Sequence, residues 1–108
     1  MRSKYHAIKT TIDGITFASK REARYYQLYS RLQELGQIKN LQLQTSIPFL
    51  INGKKMFTYK PDFEFDDDKG HHIVDVKGVL TPLFRLKKKL IEAQYGIEIE
   101  VVKWLKNY

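Results

Sequence analysis

Cysteine is absent from this chain of 108 residues. That excludes disulfides and thiolate metal sites, and it agrees with a reducing, intracellular, cytoplasmic setting. No apolar run approaches the ~20 residues of a membrane span, so no membrane partner is expected. The polar, basic N-terminus carries no signal-peptide pattern. No internal repeat, low-complexity tract or linker divides the chain. The length suits one domain over 1–108, with a basic arm and small hairpin over 1–18 and a core over 19–105. Acidic residues are in deficit, 12 against 19 Lys and Arg, leaving a formal charge of +7. A small basic protein tends to meet a polyanion, nucleic acid first. The plainer reading is a basic protein that is merely soluble.

What is present is a folding pattern. Residues 1–8 read as a loose basic arm with Arg2, Lys4 and His6. Asp13-Gly14, between β-branched residues, predicts a tight hairpin. Ser19 is an N-cap, with Glu22 at the position that completes a capping box. Tyr25, Leu28, Tyr29, Leu32 and Leu35 follow at helical spacing as a buried stripe, and Gly36 ends the helix. The stretch 38–51 reads as extended, with Pro48 marking an edge or strand end, and Asn52-Gly53 is another turn. Phe57, Tyr59, Phe63 and Phe65 then alternate with Thr58, Lys60, Asp62 and Glu64, which predicts one half-buried strand. After the turn at 66–70, Val74 and Val76 alternate with Ile73, Asp75 and Lys77. Thr81-Pro82 opens a second helix, which carries Leu83, Phe84, Leu86, Leu90, Ile91 and Ala93 and ends at Tyr95-Gly96. A final strand over 98–105, including Trp104 and Leu105, follows a crossover that allows parallel pairing. The expected order is hairpin, helix, three antiparallel strands, helix, strand: a mixed α/β (α+β) fold.

The chemistry sits on the central hairpin. A turn centred on Asp68 and Lys69 sets Asp62 opposite Asp75, with Cβ atoms ~5 Å apart. Facing carboxylates repel, so such a pair calls for a cation. Lys77, two residues on, points to the same face as Asp75. Glu22, Asp62 and Asp75 are the candidate metal ligands, with the Val76 carbonyl a further one, and Mg²⁺ is the hard cation that carboxylates usually hold. Lys77 is the candidate to position an attacking water or to offset developing charge. Each residue has a duller reading beside this one. Glu22 caps its helix, Asp62 is a polar strand residue, and Asp75–Lys77 is a surface ion pair of little consequence. His71 and His72 read as solvent-facing, without a third partner for zinc. Gln42 and Gln44 serve as strand-surface residues or as contacts to the site or to DNA. Lys20, Arg21, Arg24, Arg85, Lys87, Lys88 and Lys89 are either solvated helix faces or a phosphate-contacting surface.

Pro61-Asp62 followed by Asp75-Val76-Lys77 resembles the motif of the PD-(D/E)XK nuclease superfamily. The element order is similar to that superfamily's restriction-endonuclease-like core. The stretch from Asp13 to Ala23 resembles the opening of small phage and prophage endonucleases of the Holliday-junction-resolvase type, and the similarity runs from about Lys4 to about Leu105. The resemblance implies Glu22, Asp62 and Asp75 as metal ligands, Lys77 as the catalytic lysine, and Mg²⁺ or Mn²⁺ as cofactor. It implies hydrolysis of DNA phosphodiesters at four-way or other branched junctions, commonly by a homodimer, in the host cytoplasm if the chain is phage-encoded. A flap, fork or general duplex nuclease of the same fold is the alternative, and a non-catalytic basic DNA-binding protein is a third.

Overall fold

The computed structural model describes residues 8–103. The basic arm up to His6, and Trp104 and Leu105 of the expected final strand, lie outside them. The described residues form a mixed α+β domain with two helices and three sheets. None of its helices is long and apolar enough to cross a membrane.

The first hairpin joins β1 (Thr10–Ile12) to β2 (Ile15–Phe17). Asp13 and Gly14 both take positive φ, 52° and 77°, the geometry a two-residue primed turn needs. The hairpin packs on α1 (Lys20–Glu34). The Phe17 and Tyr26 rings lie 5.0 Å apart, and the Tyr26 hydroxyl donates to Asp13 at 3.1 Å. Ser19 caps α1 as expected, its Oγ accepting the Glu22 N–H at 3.1 Å. At the other end Gly36 takes φ +76°, and the Gln37 N–H reaches back to the Leu32 carbonyl at 2.9 Å. That closure is a Schellman motif. It leaves Leu35 in the exposed cap, outside the buried stripe expected for it.

The long extended runs are each two strands. Residues 38–51 split into β3 (Lys39–Leu43) and β4 (Ile47–Ile51). The break falls at Gln44, where the chain turns at a φ of +48°. The run 57–65 splits into β5 (Lys54–Tyr59) and β6 (Phe63–Asp67). Here Pro61 intervenes and has no N–H to give a ladder. The main sheet is β3-β6-β7-β8, with β7 spanning Gly70–Val76 and β8 spanning Ile99–Val102. Its first three strands are antiparallel, and β8 joins β7 in parallel across the crossover α2 (Pro82–Tyr95). The hairpin β4–β5 is a separate two-stranded sheet. Five strands therefore lie between the helices instead of three, and the expected order survives only in the main sheet.

Both faces of the main sheet are covered. On one, Phe63, Phe65, Val74 and Val76 pack with Ala23, Tyr25 and Tyr29 of α1. On the other, Ile73 and Ile99 pack with Ile91 of α2 and with Tyr59. Phe57 and Tyr59 thus belong to the α2 side and Phe63 and Phe65 to the α1 side, although one alternating run placed all four together. The turn between β6 and β7 is as read: Asp67 pairs with Gly70 and Phe63 with Val74. Thr81 caps α2, accepting the Phe84 N–H at 3.1 Å, and Gly96 at φ +64° ends it. The apolar residues of α2 divide unexpectedly. Ile91 is fully buried, Phe84 and Leu90 are half-buried, and Leu83 and Leu86 are 60% and 53% exposed.

Because Ile91 seals the α2 face, Ile91→Ala should cost about 2–5 kcal/mol, the usual range for emptying a core site. Leu83→Ala should stay within about 0.5 kcal/mol, as exposed positions do. Urea unfolding midpoints of the two variants check this. Similar losses would mean that Leu83 is covered in solution.

Candidate active site

The sheet register carries on past Phe63 and Val74 to set Asp62 level with Asp75. Pro61 ends β5's run, and β6 starts immediately after Asp62, so this carboxylate sits at the mouth of the β6–β7 pair. Its Oδ2 accepts the Val76 N–H at 2.7 Å. Asp75 lies within β7 and is only 1% exposed. Its Oδ2 accepts the hydroxyl proton of Tyr59 at the end of β5. Its Oδ1 lies 3.2 Å from the Lys77 ammonium, yet it is buried without a well-formed hydrogen bond. The Lys77 ammonium also stands over the Phe84 ring, 4.5 Å from its centroid. Glu22 is buried in the first turn of α1. Ser19 satisfies its backbone, while its carboxyl hydrogen-bonds Asp62. Capping and membership of the acid cluster therefore coexist at one residue.

Crowding dominates the electrostatics. Burial, then the charge of Asp75 and a hydrogen bond to it, then the charge of Glu22, push the Asp62 carboxyl up to about 8, against a smaller opposing pull from the Val76 N–H. Burial also raises Glu22, opposed by its hydrogen bond from Asp62; the Asp75 charge raises it further and Lys77 lowers it. Burial raises the Tyr59 hydroxyl, and its bond to Asp75 adds to that, keeping it a donor. Asp62 therefore holds a proton at neutral pH and shares it with its acidic neighbours. Among the described residues no three His, Asp or Glu stand as a ready-made metal cage. The three carboxyls, one of them with an underused buried oxygen, are nevertheless hard oxygen donors of the kind a divalent cation takes. Such a cation takes deprotonated carboxylates, so its binding would expel the Asp62 proton.

A cavity of about 110 Å³ opens beside Glu22 and Asp62, walled by Phe17 of β2 and by Leu43 and Gln44. The Gln44 N–H donates to the Asp62 carbonyl at 3.2 Å, so the backbone turn that ends β3 also fixes the acid. Arg21 lies against Gly78, where a Cβ would run into its guanidinium. That brings one predicted phosphate contact close to Lys77. Lys20 and Arg24 are exposed on α1, and Arg85 and Lys89 on α2. Lys87 and Lys88 are less available. Lys87 is half-buried over the Phe57 ring, 5.3 Å from its centroid, and Lys88 pairs with Glu92 at 3.0 Å. The histidines are not simply solvent-facing. His71 lies between Glu64 and Asp66, and His72 between Asp67 and Glu100, at 2.6–2.8 Å. These carboxylates raise both imidazoles.

Tyr59 is the site residue that the sequence pattern did not reveal. Its place in an aromatic alternation marked it as core. The only signal was its position just ahead of Lys60-Pro61-Asp62.

Fold and site together define a mixed α+β domain with a buried acid cluster and one lysine at the end of its main sheet. The chain belongs to the family described as "Protein of unknown function (DUF1064)", whose model matches residues 2–107. No curated protein and no solved structure matches it.

The raised Asp62 carboxyl sets a pH dependence. The folded state holds a proton that the unfolded chain releases near 3.8, so stability falls as pH rises from about 4 to about 8. The raised histidines act in the same direction, their contribution being lost as pH climbs through their folded values. In EDTA, urea midpoints should therefore decline from pH 5 to pH 8. Asp62→Asn should flatten much of that decline and leave the histidine part. A decline of the same size in wild type and Asp62→Asn would show that Asp62 ionises normally.

Proposed function

We propose that this protein is a metal-dependent endodeoxyribonuclease of the PD-(D/E)XK type that cuts branched DNA, with four-way junctions as its substrate. The observation that carries this reading is the convergence of Glu22, Asp62, Asp75 and Lys77, from two strands and a helix, on one sheet end. The main sheet supports it, since α1, β3, β6, β7, α2 and β8 follow one another in the order of that superfamily's core. A purely structural role suits this cluster poorly. Crowding three acids, two of them buried, beside one lysine lowers stability unless a further cation compensates.

Glu22, Asp62, Asp75 and the Val76 carbonyl are the groups that would hold Mg²⁺ or Mn²⁺. The ion, when bound, would supply a water of lowered pKa and offset charge on the phosphate. The chain's own residues supply position. The Tyr59 hydroxyl locks one oxygen of Asp75, while the other, beside the Lys77 ammonium, would be the one to meet a ligand. The Val76 N–H fixes Asp62 in the same way. Lys77, held between Asp75 and Phe84, would orient the attacking water and meet negative charge growing on the phosphate. The exposed Lys20, Arg24, Arg85 and Lys89 give backbone phosphates a basic approach, with Arg21 nearest the site. A homodimer would supply two such centres for paired nicks.

Purified protein incubated with a synthetic four-way junction and a matched linear duplex, in Mg²⁺, Mn²⁺ or EDTA, tests the proposal. Symmetric nicks in the junction, lost in EDTA, are expected. Cleavage of both substrates would instead indicate a general duplex nuclease. Binding without any cut would indicate a DNA-binding protein with structural acids. Asp75→Ala should lower cleavage by at least about 10²–10³-fold while junction binding persists; unchanged turnover would sink the mechanism. Proton release on Mg²⁺ binding, read by calorimetry in two buffers, should vanish in Asp62→Asn.

A further inference from the structure

The β4–β5 hairpin lies outside the main sheet, and an isolated two-stranded hairpin is marginal in water. This one is braced along its length, up to the residue before Ile51. Phe49 and Phe57 stack at 5.1 Å. The Gln94 side chain of α2 accepts the Leu50 N–H at 2.9 Å and donates to the Leu50 carbonyl at 2.6 Å. The Tyr95 hydroxyl donates to the Pro48 carbonyl at 2.6 Å. At the root, Tyr59 bonds Asp75 of the acid cluster.

The tip is built differently. Asn52 and Gly53 take φ 51° and 77°, a tight turn with little slack. Ile51 and Met56 beside it are 50% and 46% exposed. Lys54 and Lys55 are exposed as well, and residues 47–60 carry three lysines and no acid. Solubility alone would favour polar residues at such a tip. A second copy is a poor occupant, because two tips of like charge repel. A polyanion with apolar faces between its charges fits both features. DNA-bending proteins insert apolar side chains between base steps in this manner, while lysines meet the flanking phosphates. Five residue steps separate Lys54 from Tyr59, about 17 Å of strand, or about five steps of 3.4 Å along a nucleic-acid strand.

Resting on the nuclease reading of the acid cluster, we propose that the hairpin tip is a DNA-parting wedge. Lys54 and Lys55 grip backbone phosphates, and Ile51 and Met56 pack against bases unstacked at a branch, about three to five nucleotides from the bond that is cut. The rigid root makes the wedge a ruler, since Tyr59 ties it to Asp75.

Two double variants of the full chain test this, Ile51→Ser with Met56→Ser and Lys54→Ala with Lys55→Ala. Both act at exposed positions, and an unchanged circular-dichroism melt verifies the fold; Met56→Gln alone serves if the first double variant melts early. The probes are a four-way junction with 2-aminopurine at successive positions from the branch, and a matched duplex, both titrated in EDTA. The apolar variant should lose about tenfold in junction affinity, keep duplex affinity within about twofold, and abolish the 2-aminopurine fluorescence rise near the branch. The lysine variant should weaken both complexes and reduce the slope of log affinity against log salt by about 1–2. Tip variants that bind and cut the junction like the wild type would overturn the wedge and leave the nuclease standing. A wild type that cuts nothing, but whose junction binding and fluorescence rise still depend on the tip, would remove the nuclease reading and keep the wedge. Loss of a dimer in the apolar variant, with junction and duplex affinity falling equally, would overturn the wedge in favour of self-association.

Discussion

A carboxylate buried as deeply as Asp75 has to be compensated, and partners from several parts of the chain meet most of that demand. Tyr59 donates to one oxygen, Lys77 stands beside the other, and Asp62 keeps a proton where a second negative charge would be intolerable. Each of these partners comes from a different part of the chain. Tyr59 fixes the root of the β4–β5 hairpin, and Asp62 requires the break at Pro61. Lys77 is held between the sheet and Phe84 of α2. Glu22 draws the start of α1 into the same cluster. The four-stranded sheet, both helices and the inserted hairpin therefore meet at one group of ionisable side chains.

The same cluster is a poor choice for stability alone. An apolar group of similar size would avoid the desolvation of three acids. Retaining them shifts stability toward low pH and leaves one buried oxygen short of a donor. On the proposed reading these are two aspects of one property. A site that holds a shared proton at rest would give up that proton to a divalent cation, and Glu22, Asp62 and Asp75 would then be reconciled by the cation's charge. At the opposite end of β7, the His71 and His72 clusters meet like charge differently, with two imidazoles placed among four carboxylates.

Much of this was legible because it is local. Asp13-Gly14 and Asn52-Gly53 announce their turns through the φ values that each can adopt. Ser19 and Thr81-Pro82 announce helix starts through hydrogen bonds reaching only three residues ahead. The β6–β7 register follows from the turn between Asp67 and Gly70, and that register alone sets Asp62 against Asp75. Alternation correctly separated Val74 and Val76 from Ile73 and Asp75. It could not say that both faces would be covered, nor which helix would cover which.

The sequence by itself determined the turns, the caps, the hairpin register and the pairing of two carboxylates with a lysine, because each is fixed by contacts close along the chain. Only the tertiary structure decided that the aromatic run 57–65 divides between two sheets and that Tyr59 turns to Asp75. It also decided that Leu83 and Leu86 stay exposed, and that Lys87 and Lys88 are partly spent on Phe57 and Glu92. Periodicity states which way a side chain faces, but what it faces depends on elements distant in the chain, and that is settled by packing.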